Sequence, residues 1–244
     1  MRTLIVSDVH SNIEGFAAVV RDAERRGSVD AVWCIGDVVG YGPDPSAAIA
    51  AVRQPDVVVV AGNHDLAACR RMDTVDFNPV AAAAAHWTRD MLGDADRAYL
   101  NGLPLIATSG AFTLVHGSLR HPEWEYLLDP EQAEAHFALQ GTPYSVVGHS
   151  HVQFVCTERE GQPPLFHRAE DGERIQLGDD RMILNPGSSG QPRDADPRAG
   201  YMLYDDASHT VSWHRVEYDA RPTLRKIIEA GLPEYLGQRL LIGR

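Results

Sequence analysis

The chain has 244 residues, of which 44 % are hydrophobic and 23 % are charged, and 34 acidic residues against 22 basic ones give a formal net charge of −12. This composition excludes a disordered polyampholyte, a collagen-like repeat and a disulfide scaffold. The acidic balance also argues against a protein that binds duplex nucleic acid, because that interaction needs a dense lysine and arginine surface, whereas a small anionic substrate needs only a local positive site.

Strands and helices alternate in the first third of the chain. Apolar strands are predicted at 3–7, 31–35 and 57–60. Ser11-Asn12-Ile13-Glu14 has the pattern of a capping box that opens a helix to about Arg26, and a short helix follows the glycine- and proline-rich loop 40–45. Short apolar strands joined by helical crossovers indicate a parallel sheet that is covered on both faces.

The middle of the chain is predicted to be helical. Residues 78–92 form one helix, with an apolar face of Val80, Ala84, Trp87 and Met91, and residues 94–100 form a second. Two further helical pieces are expected near the end of the chain, after Pro222 and after Pro233. No internal repeat or long linker interrupts the pattern, so we expect a single domain over residues 1–244.

The second half of the chain is predicted to consist mostly of strands. They are expected at 105–108, 112–116, 144–147, 152–157, 183–184, 201–204 and 211–216. The last of these shows the alternation of a half-exposed antiparallel strand. The segments 162–164 and 172–180 are predicted to be exposed connections.

Three scattered cysteines, Cys34, Cys69 and Cys156, indicate free thiols and a reducing compartment. The first residues lead directly into a strand without the layout of a signal peptide, and no apolar stretch approaches the ~20 residues of a membrane helix. We therefore expect a cytoplasmic protein without a membrane partner. The sequence leaves its oligomeric state open.

Five short polar motifs follow apolar strands, each at the C-terminal end of its strand. Ligands of open α/β sheets bind at that edge, because the loops converge there. Carboxylate, imidazole and amide groups together suit divalent Mn, Fe, Zn, Co or Ni. Any one motif is explained as well by turn formation and helix capping, but the set predicts a metal site. In chain order the motifs are Asp8-Val9-His10, Gly36-Asp37, Gly62-Asn63-His64-Asp65, His116-Gly117 and Gly148-His149-Ser150-His151.

The order of these motifs resembles that of the calcineurin-like metallophosphoesterase family, and Asn185-Pro186-Gly187-Ser188 is similar to its small prokaryotic phosphodiesterases. The resemblance implies an α/β fold with four layers, an α/β/β/α sandwich of two mixed β-sheets flanked by helices. It also implies a dinuclear metal site and a non-ligand histidine, His64, that faces the leaving group. When the motifs are matched position by position to those of the family, the resemblance implies that one ion is held by Asp8, His10 and His151. It implies that the other ion is held by Asn63, His116 and His149, and that Asp37 bridges the two.

The residue types agree with the chemistry that the resemblance implies. A hydroxide that bridges two divalent ions is a nucleophile at neutral pH, and the ions also neutralise the phosphoryl oxygens. A histidine beside the ligand Asn63 is placed to give the leaving group a proton or a hydrogen bond. The predicted catalytic residues are therefore His64 and the bridging carboxylate, Asp37. Asp65 either orients a neighbouring imidazole or caps a helix. Manganese is the first expectation for both ions, with iron, zinc, cobalt and nickel left open.

Two residues are predicted to contact the substrate. Tyr41 lies in the loop just after Asp37, where its ring can line the mouth of the pocket. Arg120 closely follows His116 and can donate two hydrogen bonds to a phosphate. The loop from Asn185 to Arg193 offers backbone donors and an arginine, and its role is left open.

These features predict a metal-dependent phosphodiesterase that hydrolyses small nucleotide-like diesters, including cyclic nucleotides. The compact chain, which lacks the long insertions of protein phosphatases, favours that substrate class. The alternatives are a phosphomonoesterase or protein phosphatase, a dinucleoside polyphosphate hydrolase and a non-catalytic scaffold of the same fold. The complete ligand set together with His64 favours an enzyme over a scaffold. The physiological substrate and the native metal pair stay open.

Overall fold

The computed structural model describes residues 1–244 and contains twelve β-strands and eight α-helices. The strands are β1 (Arg2–Val6), β2 (Ala31–Cys34), β3 (Val57–Val59), β4 (Ile106–Ser109), β5 (Phe112–Val115), β6 (Tyr144–Val146), β7 (Gln153–Arg159), β8 (Gln162–Arg168), β9 (Arg174–Gln176), β10 (Met182–Pro186), β11 (Ala199–Asp205) and β12 (Thr210–Val216). The helices are α1 (Ile13–Arg25), α2 (Pro45–Val52), α3 (Asn63–Ala68), α4 (Pro79–Met91), α5 (Asp94–Asn101), α6 (Pro130–Leu139), α7 (Arg221–Glu229) and α8 (Tyr235–Gln238), and a 3₁₀ turn (Arg239–Leu241) follows.

The strands form two mixed six-stranded sheets. The first sheet has the order β3-β2-β1-β11-β12-β9, and the second has the order β4-β5-β6-β10-β7-β8. In the first sheet β1 pairs with β2 in parallel, with Leu4 opposite Val32, and with β11 in an antiparallel arrangement, with Leu4 opposite Leu203. The predicted parallel sheet is therefore confined to β1, β2 and β3, and antiparallel strands from the second half of the chain extend it.

Alternate side chains of the buried strands face different layers of the molecule. On β1, Ile5 points between the two sheets, whereas Leu4 and Val6 pack beneath the helices that cover the first sheet. These helices are α1, α2, α3 and α5, and α6 covers the outer face of the second sheet through Ala133 and Phe137. The sequence of layers is helix, sheet, sheet, helix, which confirms the predicted α/β/β/α sandwich.

The start of α1 differs from the predicted capping box. Asn12, one residue later than Ser11, is the N-cap, and its side chain accepts a hydrogen bond from the Gly15 N–H at 3.1 Å. The Glu14 carboxylate does not return to the helix start, because it accepts hydrogen bonds from Thr223 and Lys226 of α7. This acid joins two helices instead of capping one.

Both segments that were predicted as exposed connections contain strands at sheet edges. Residues 162–168 form β8 and residues 174–176 form β9, each the last strand of its sheet. Pro163 and Pro164 are the reason that a connection was predicted in place of β8. An edge strand tolerates proline, because one of its sides needs no ladder hydrogen bonds. The antiparallel strand expected at 211–216 is present as β12, but its predicted half-exposed alternation is wrong, since β12 lies between two neighbouring strands and is buried over most of its length.

Two helices also depart from expectation. On α4 the buried residues are Ala81, Ala84, Ala85 and Thr88, and Met91 is 56 % exposed, so the predicted apolar face is wrong at its C-terminal end. Helix α6 was not predicted, although Asp129 caps it with Gln132 in a capping box and Pro130 occupies its first turn. None of the eight helices is long and apolar enough to cross a membrane.

Candidate metal centre

The five polar motifs follow β1, β2, β3, β5 and β6, and the structure brings their side chains together. Strands β1, β2 and β3 run parallel in the first sheet, and β5 and β6 run parallel in the second. Their C-terminal ends therefore lie at the same edge of each sheet. Every predicted ligand side chain is buried there.

Two groups of candidate ligand atoms lie at this edge. In the first group, Asp8 Oδ1 is 3.1 Å from His151 Nε2 and 3.8 Å from His10 Nε2. In the second group, His116 Nε2 is 3.4 Å from Asp37 Oδ2 and 3.2 Å from a ring nitrogen of His149. The ligand atoms of each group all lie within 4.8 Å of one another.

Asp37 lies between the two groups. Its Oδ2 atom is 3.6 Å from His10 Nε2 and 3.4 Å from His116 Nε2, so it reaches both. Its Oδ1 atom accepts a hydrogen bond from the backbone N–H of His64 at 2.9 Å, which fixes the orientation of the carboxylate. This position suits a carboxylate that two ions share.

The donor set fits a pair of divalent ions. Both carboxylate oxygens of Asp8 and the amide oxygen of Asn63 are buried without a hydrogen-bond partner. Such groups carry a desolvation cost of roughly 1–3 kcal/mol each, and more when charged, unless another group satisfies them. Two ligands bound to one ion at ~2.1 Å lie about 3.0–3.4 Å apart, which is the spacing between the paired ring nitrogens. The oxygens without hydrogen-bond partners and the spacing of the ring nitrogens therefore both suit a metal site.

The second ring nitrogen of each predicted ligand histidine contacts a backbone carbonyl. Such a contact fixes the tautomer, because the outer nitrogen donates its proton and the inner nitrogen keeps a lone pair for an ion. The pairs are His10 Nδ1 with Val39 O, His116 Nδ1 with Ile35 O, His149 Nε2 with Trp124 O, and His151 Nδ1 with Gln191 O.

The backbone adopts an uncommon conformation at the centre. Five of the predicted ligands, Asp8, His10, Asp37, His149 and His151, have φ between 48° and 62°, in the left-handed region that non-glycine residues seldom adopt. The neighbouring Gly62 is needed for space, because a Cβ atom there would lie 2.1 Å from Asp37 Oδ1. Local strain is concentrated where the candidate ligands are, which is typical of functional sites.

Burial and neighbouring charges shift the pKa values of the ligand histidines in different directions. Burial lowers the pKa of His149, to about 3, and also lowers those of His10 and His151. Burial acts in the same direction on His116, but the Asp37 carboxylate outweighs it and raises that pKa to about 9. Three of the four rings are therefore neutral at pH 7, as a metal ligand must be.

His64 lies beside the candidate ligands without belonging to either group. It is the second residue of α3, directly after Asn63, and its ring centroid is 4.3 Å from that of Tyr41 and 5.0 Å from that of Phe77. Its Nδ1 atom faces Gly40 and has no hydrogen-bond partner. Burial lowers the pKa of His64 to about 4, so the ring is neutral in this arrangement.

Asp65 caps the start of α3. Its carboxylate accepts hydrogen bonds from the backbone N–H groups of Gly62 and Val39, both at 3.0 Å. Burial, followed by the negative charge of Asp37, raises its pKa to about 7. Of the two roles considered for this acid, the structure shows the cap and no hydrogen bond to an imidazole.

A cavity of about 260 Å³ opens beside the two groups. Asp37, Asn63, His64, His149 and His151 form its inner wall, and the predicted substrate residue Tyr41 also lines it. The other lining residues are Asp76, Phe77, Asn78, Ala81, Trp124, Tyr126 and Arg193.

Arg120 lies outside this cavity. Its guanidinium group forms an ion pair with Glu125, and the same carboxylate accepts a hydrogen bond from Ser118 at 2.6 Å. The guanidinium group that was expected to bind a phosphate is therefore already paired with a carboxylate.

Seven lining residues were not predicted as site residues, and four of them offer an aromatic ring or a positive charge. Tyr126 stacks on His149 with a centroid distance of 3.9 Å, and Trp124 and Phe77 are adjacent, with centroids 5.3 Å apart. Arg193 lies at the end of the loop whose role was left open. The signal for Trp124 and Tyr126 was their position in a polar segment shortly after His116. Nothing in the sequence indicated Phe77, because it lies in the loop between α3 and α4 and the path of that loop cannot be read from the sequence.

Residues 1–208 match the calcineurin-like phosphoesterase superfamily domain. A protein of Methanocaldococcus jannaschii, described as uncharacterized, is 36 % identical over 98 % of this chain and 97 % of its own length. A symmetrical bis(5′-nucleosyl)-tetraphosphatase of Vibrio cholerae is 28 % identical over 51 % of this chain, and the match spans 47 % of that enzyme.

Solved structures share the fold over the whole chain. The metallophosphoesterase from Sphaerobacter thermophilus has a TM-score of 0.89 and 43 % sequence identity, and the match covers 100 % of this chain and 99 % of that one. A hypothetical protein from Pyrococcus horikoshii has a TM-score of 0.81 at 19 % identity, covering 100 % and 98 % of the two chains. The second likeness concerns the fold alone.

Proposed function

The chain belongs to the calcineurin-like phosphoesterase superfamily and is a phosphoric ester hydrolase, and from that premise we propose that it is a dinuclear-metal-dependent phosphodiesterase acting on small nucleotide-like diesters, including cyclic nucleotides. The observation that carries the proposal is the pair of buried ligand groups joined by Asp37, which open onto a cavity with aromatic walls. Neither feature alone indicates a nucleotide diester, but together they provide a phosphate site beside a surface for a planar ring.

Two divalent ions bound here supply Lewis-acid chemistry, because they lower the pKa of a water molecule and neutralise the phosphoryl oxygens. Asp8, His10 and His151 would hold one ion, and Asn63, His116 and His149 the other, with Asp37 shared. The mixture of carboxylate, imidazole and amide groups suits Mn²⁺, our first assignment, and also Fe, Zn, Co or Ni.

His64 acts on the leaving group in this proposal. Its ring lines the cavity, and the packing of Tyr41 and Phe77 holds it in place. Because Nδ1 faces Gly40, we assign hydrogen-bond donation to Nε2, the nitrogen on the other side of the ring. A hydrogen bond from Nε2–H to the leaving oxygen stabilises the departing alkoxide.

The aromatic walls support a nucleotide-like substrate. Trp124 and Tyr126 are 38 % and 41 % exposed although they line the cavity, so each presents ring surface to an incoming ligand. Base stacking on such rings contributes about 1–3 kcal/mol per base. A diester with a nucleoside arm can thus gain binding energy that a simple phosphate cannot.

A dinucleoside polyphosphate hydrolase is the second candidate. The observation that favours it is the partial similarity to a symmetrical bis(5′-nucleosyl)-tetraphosphatase, which covers 51 % of this chain. The ligand groups do not separate this reaction from that of a phosphodiesterase or a phosphomonoesterase, because all of them present a phosphoryl group to the same metal ions. The intact ligand set with His64 argues against a non-catalytic scaffold.

The ratio of diester to monoester turnover tests the proposal. We expect the protein with added Mn²⁺ to hydrolyse bis-p-nitrophenyl phosphate with a higher kcat/KM than p-nitrophenyl phosphate. A preference for the monoester would make it a phosphomonoesterase. Hydrolysis of diadenosine tetraphosphate alone would favour the second candidate.

We also propose a cytoplasmic location. The three cysteines are free, and two of them are buried, as is typical of proteins from a reducing compartment. The partner that we propose is a small phosphate ester, and duplex nucleic acid remains disfavoured by the net charge of −12.

A further inference from the structure

Arg193 is a cation without a carboxylate partner on the wall of the cavity. No carboxylate oxygen lies within 4.0 Å of its guanidinium group, although the cavity wall includes Asp37 and Asp76. Its hydrogen bonds go to the neutral side-chain oxygen of Gln191, at 2.9 Å and 3.3 Å, and it lies 5.6 Å from the centroid of the Tyr41 ring. Arg193 therefore keeps its charge and donors available for an anion.

The acidic residues that follow Arg193 in the chain form ion pairs with other arginines. The side chain of Asp194 is almost completely buried and forms ion pairs with Arg215 and Arg168. Asp196 pairs with Arg198 at 2.7 Å. These ion pairs hold the loop in place and keep its negative charges away from the Arg193 guanidinium.

The loop ties Arg193 to the candidate metal centre. Gln191 is buried, its side-chain oxygen holds Arg193, and its backbone carbonyl accepts a hydrogen bond from His151 Nδ1. The same residue thus orients a predicted ligand and positions the arginine beside the first ligand group. Trp124 and Tyr126 contact His149, in the second ligand group.

Resting on the proposed function, we propose that Arg193, which lies over the ring of Tyr41, forms an anion subsite for a second phosphate group of the substrate, separate from the phosphate that is cleaved. A phosphodiester or phosphoanhydride has two arms on its scissile phosphorus. In this cavity an anionic arm meets Arg193, and a planar nucleoside arm meets Trp124 and Tyr126. Within the proposed function, this narrows the preferred substrate to a nucleotide that carries at least one phosphate beyond the scissile one, which a cyclic mononucleotide does not.

An arginine suits this role better than a lysine. The planar guanidinium group can stack on Tyr41 while its edge donates two parallel hydrogen bonds to phosphate oxygens. In a molecule with a net charge of −12, an extra phosphate is otherwise repelled at long range, so recognition depends on a local cation.

The test compares two substrates in the Mn²⁺-loaded protein. Diadenosine tetraphosphate carries phosphates beyond the scissile one, whereas bis-p-nitrophenyl phosphate carries none. We expect Arg193→Gln to lower kcat/KM for diadenosine tetraphosphate by on the order of 10- to 100-fold more than for bis-p-nitrophenyl phosphate, chiefly through KM. We expect Arg193→Lys to recover part of the loss. Arg159→Gln, which removes a surface arginine at the turn between β7 and β8, is the matched control and should change neither value.

A binding measurement separates this inference from the proposed function. Calorimetry with a methylene-bridged diadenosine tetraphosphate, which is not cleaved, should give a Kd at least about tenfold higher for Arg193→Gln, at equal metal content. Equal losses on both substrates would overturn the subsite, because the arginine would then act on the scissile phosphate. An unchanged Kd would overturn it as well. If the wild type binds the analogue through Arg193 but hydrolyses no ester, the proposed function fails and the subsite stands.

Discussion

At the scale of single residues, the centre depends on groups that have no partner within the protein. Asp8 and Asn63 have buried oxygens without hydrogen bonds, and the ligand histidines donate outward to backbone carbonyls. This is a costly arrangement for an ion-free protein and a suitable one for a metal site. Two substitutions separate the proposed roles of metal retention and leaving-group stabilisation.

His64→Ala should reduce catalysis without loss of metal. We expect kcat to fall about 10²- to 10³-fold for diesters with an alkoxide leaving group, because the departing oxygen loses its hydrogen-bond donor. The loss should be smaller for p-nitrophenolate, which leaves without protonation. Steady-state kinetics on both kinds of diester, with elemental analysis of the variant, checks this. Equal rates for wild type and variant on the alkoxide substrate would refute the role.

Gly62→Ala should reduce metal content. A Cβ atom at this position would lie 2.1 Å from Asp37 Oδ1 and 2.4 Å from the Asp37 backbone nitrogen, so the shared carboxylate has to move. We expect fewer than two equivalents of Mn²⁺ by elemental analysis. Gly93→Ala is the matched control, because Gly93 also precedes a helix and a Cβ atom there meets nothing within 4 Å. Full metal occupancy in Gly62→Ala would contradict the position given to Asp37.

The sequence predicted which polar side chains meet at the strand edge, but not which residues reach the cavity through distant loops. Asp8, Asp37 and His116 follow strands directly, so the fold fixes their meeting point. Arg193 and Phe77 reach the cavity through long loops, whose paths are set by contacts such as the Asp194–Arg215 ion pair. Arg120 is the opposite case, because it lies close to His116 in the sequence and yet stays outside the cavity.

At the scale of secondary-structure elements, strand and helix periodicity predicted most of the fold, and the errors have local causes. The prolines of β8 are tolerated because β8 is an edge strand, which no local pattern reveals. Glu14 completes a capping pattern in sequence but binds Lys226 of α7, 212 positions away. Long-range partners decide such cases, so a single sequence predicts them poorly.

Helix α6 contains a histidine that should make stability depend on pH. His136 is buried, and its Nδ1 accepts a hydrogen bond from the Leu119 N–H at 3.1 Å, while its Nε2 has no partner. Burial lowers its pKa to about 4. The unfolded chain takes up a proton near pH 6.5 and the folded one only near pH 4, so the stabilisation is complete above pH 6.5 and decreases as the pH falls toward 4.

His136→Asn isolates this effect, because the asparagine oxygen can accept the same hydrogen bond and does not titrate. Between pH 7 and pH 4.5 we expect the wild type to lose about 2 kcal/mol more of its free energy of unfolding than the variant. Urea unfolding at both pH values, with the metal concentration held constant, measures the difference. Parallel pH profiles for the two proteins would show that His136 does not titrate in this range.

At the scale of the whole molecule, a metal centre would change both the size and the distribution of the net charge. The formal charge of −12 includes Asp8 and Asp37, and two divalent ions would bring it to −12 + 4 = −8. The added charge of +4 would lie at one sheet edge, with Arg193 beside it. The molecule as a whole repels long polyanions, while the cavity attracts one small phosphate ester.

Metal binding at this centre would also link the two sheets, because the candidate ligands follow strands of both. Asp8 and Asp37 follow strands of the first sheet, whereas His116 and His149 follow strands of the second. A ligand that binds only the folded state stabilises it by about 2.7 kcal/mol at 100 times its Kd. Chelation should therefore lower Tm as well as activity.

The central claim is that a two-metal centre at this edge hydrolyses phosphodiesters, and one titration tests it most directly. The protein is stripped with a chelator and titrated with Mn²⁺, while bound metal and bis-p-nitrophenyl phosphate turnover are measured in the same samples. We predict no turnover without metal, and activity that rises with occupancy and reaches its plateau at two equivalents. Turnover that persists in the stripped protein, or two bound equivalents with no hydrolysis of any mono- or diester, would contradict the account.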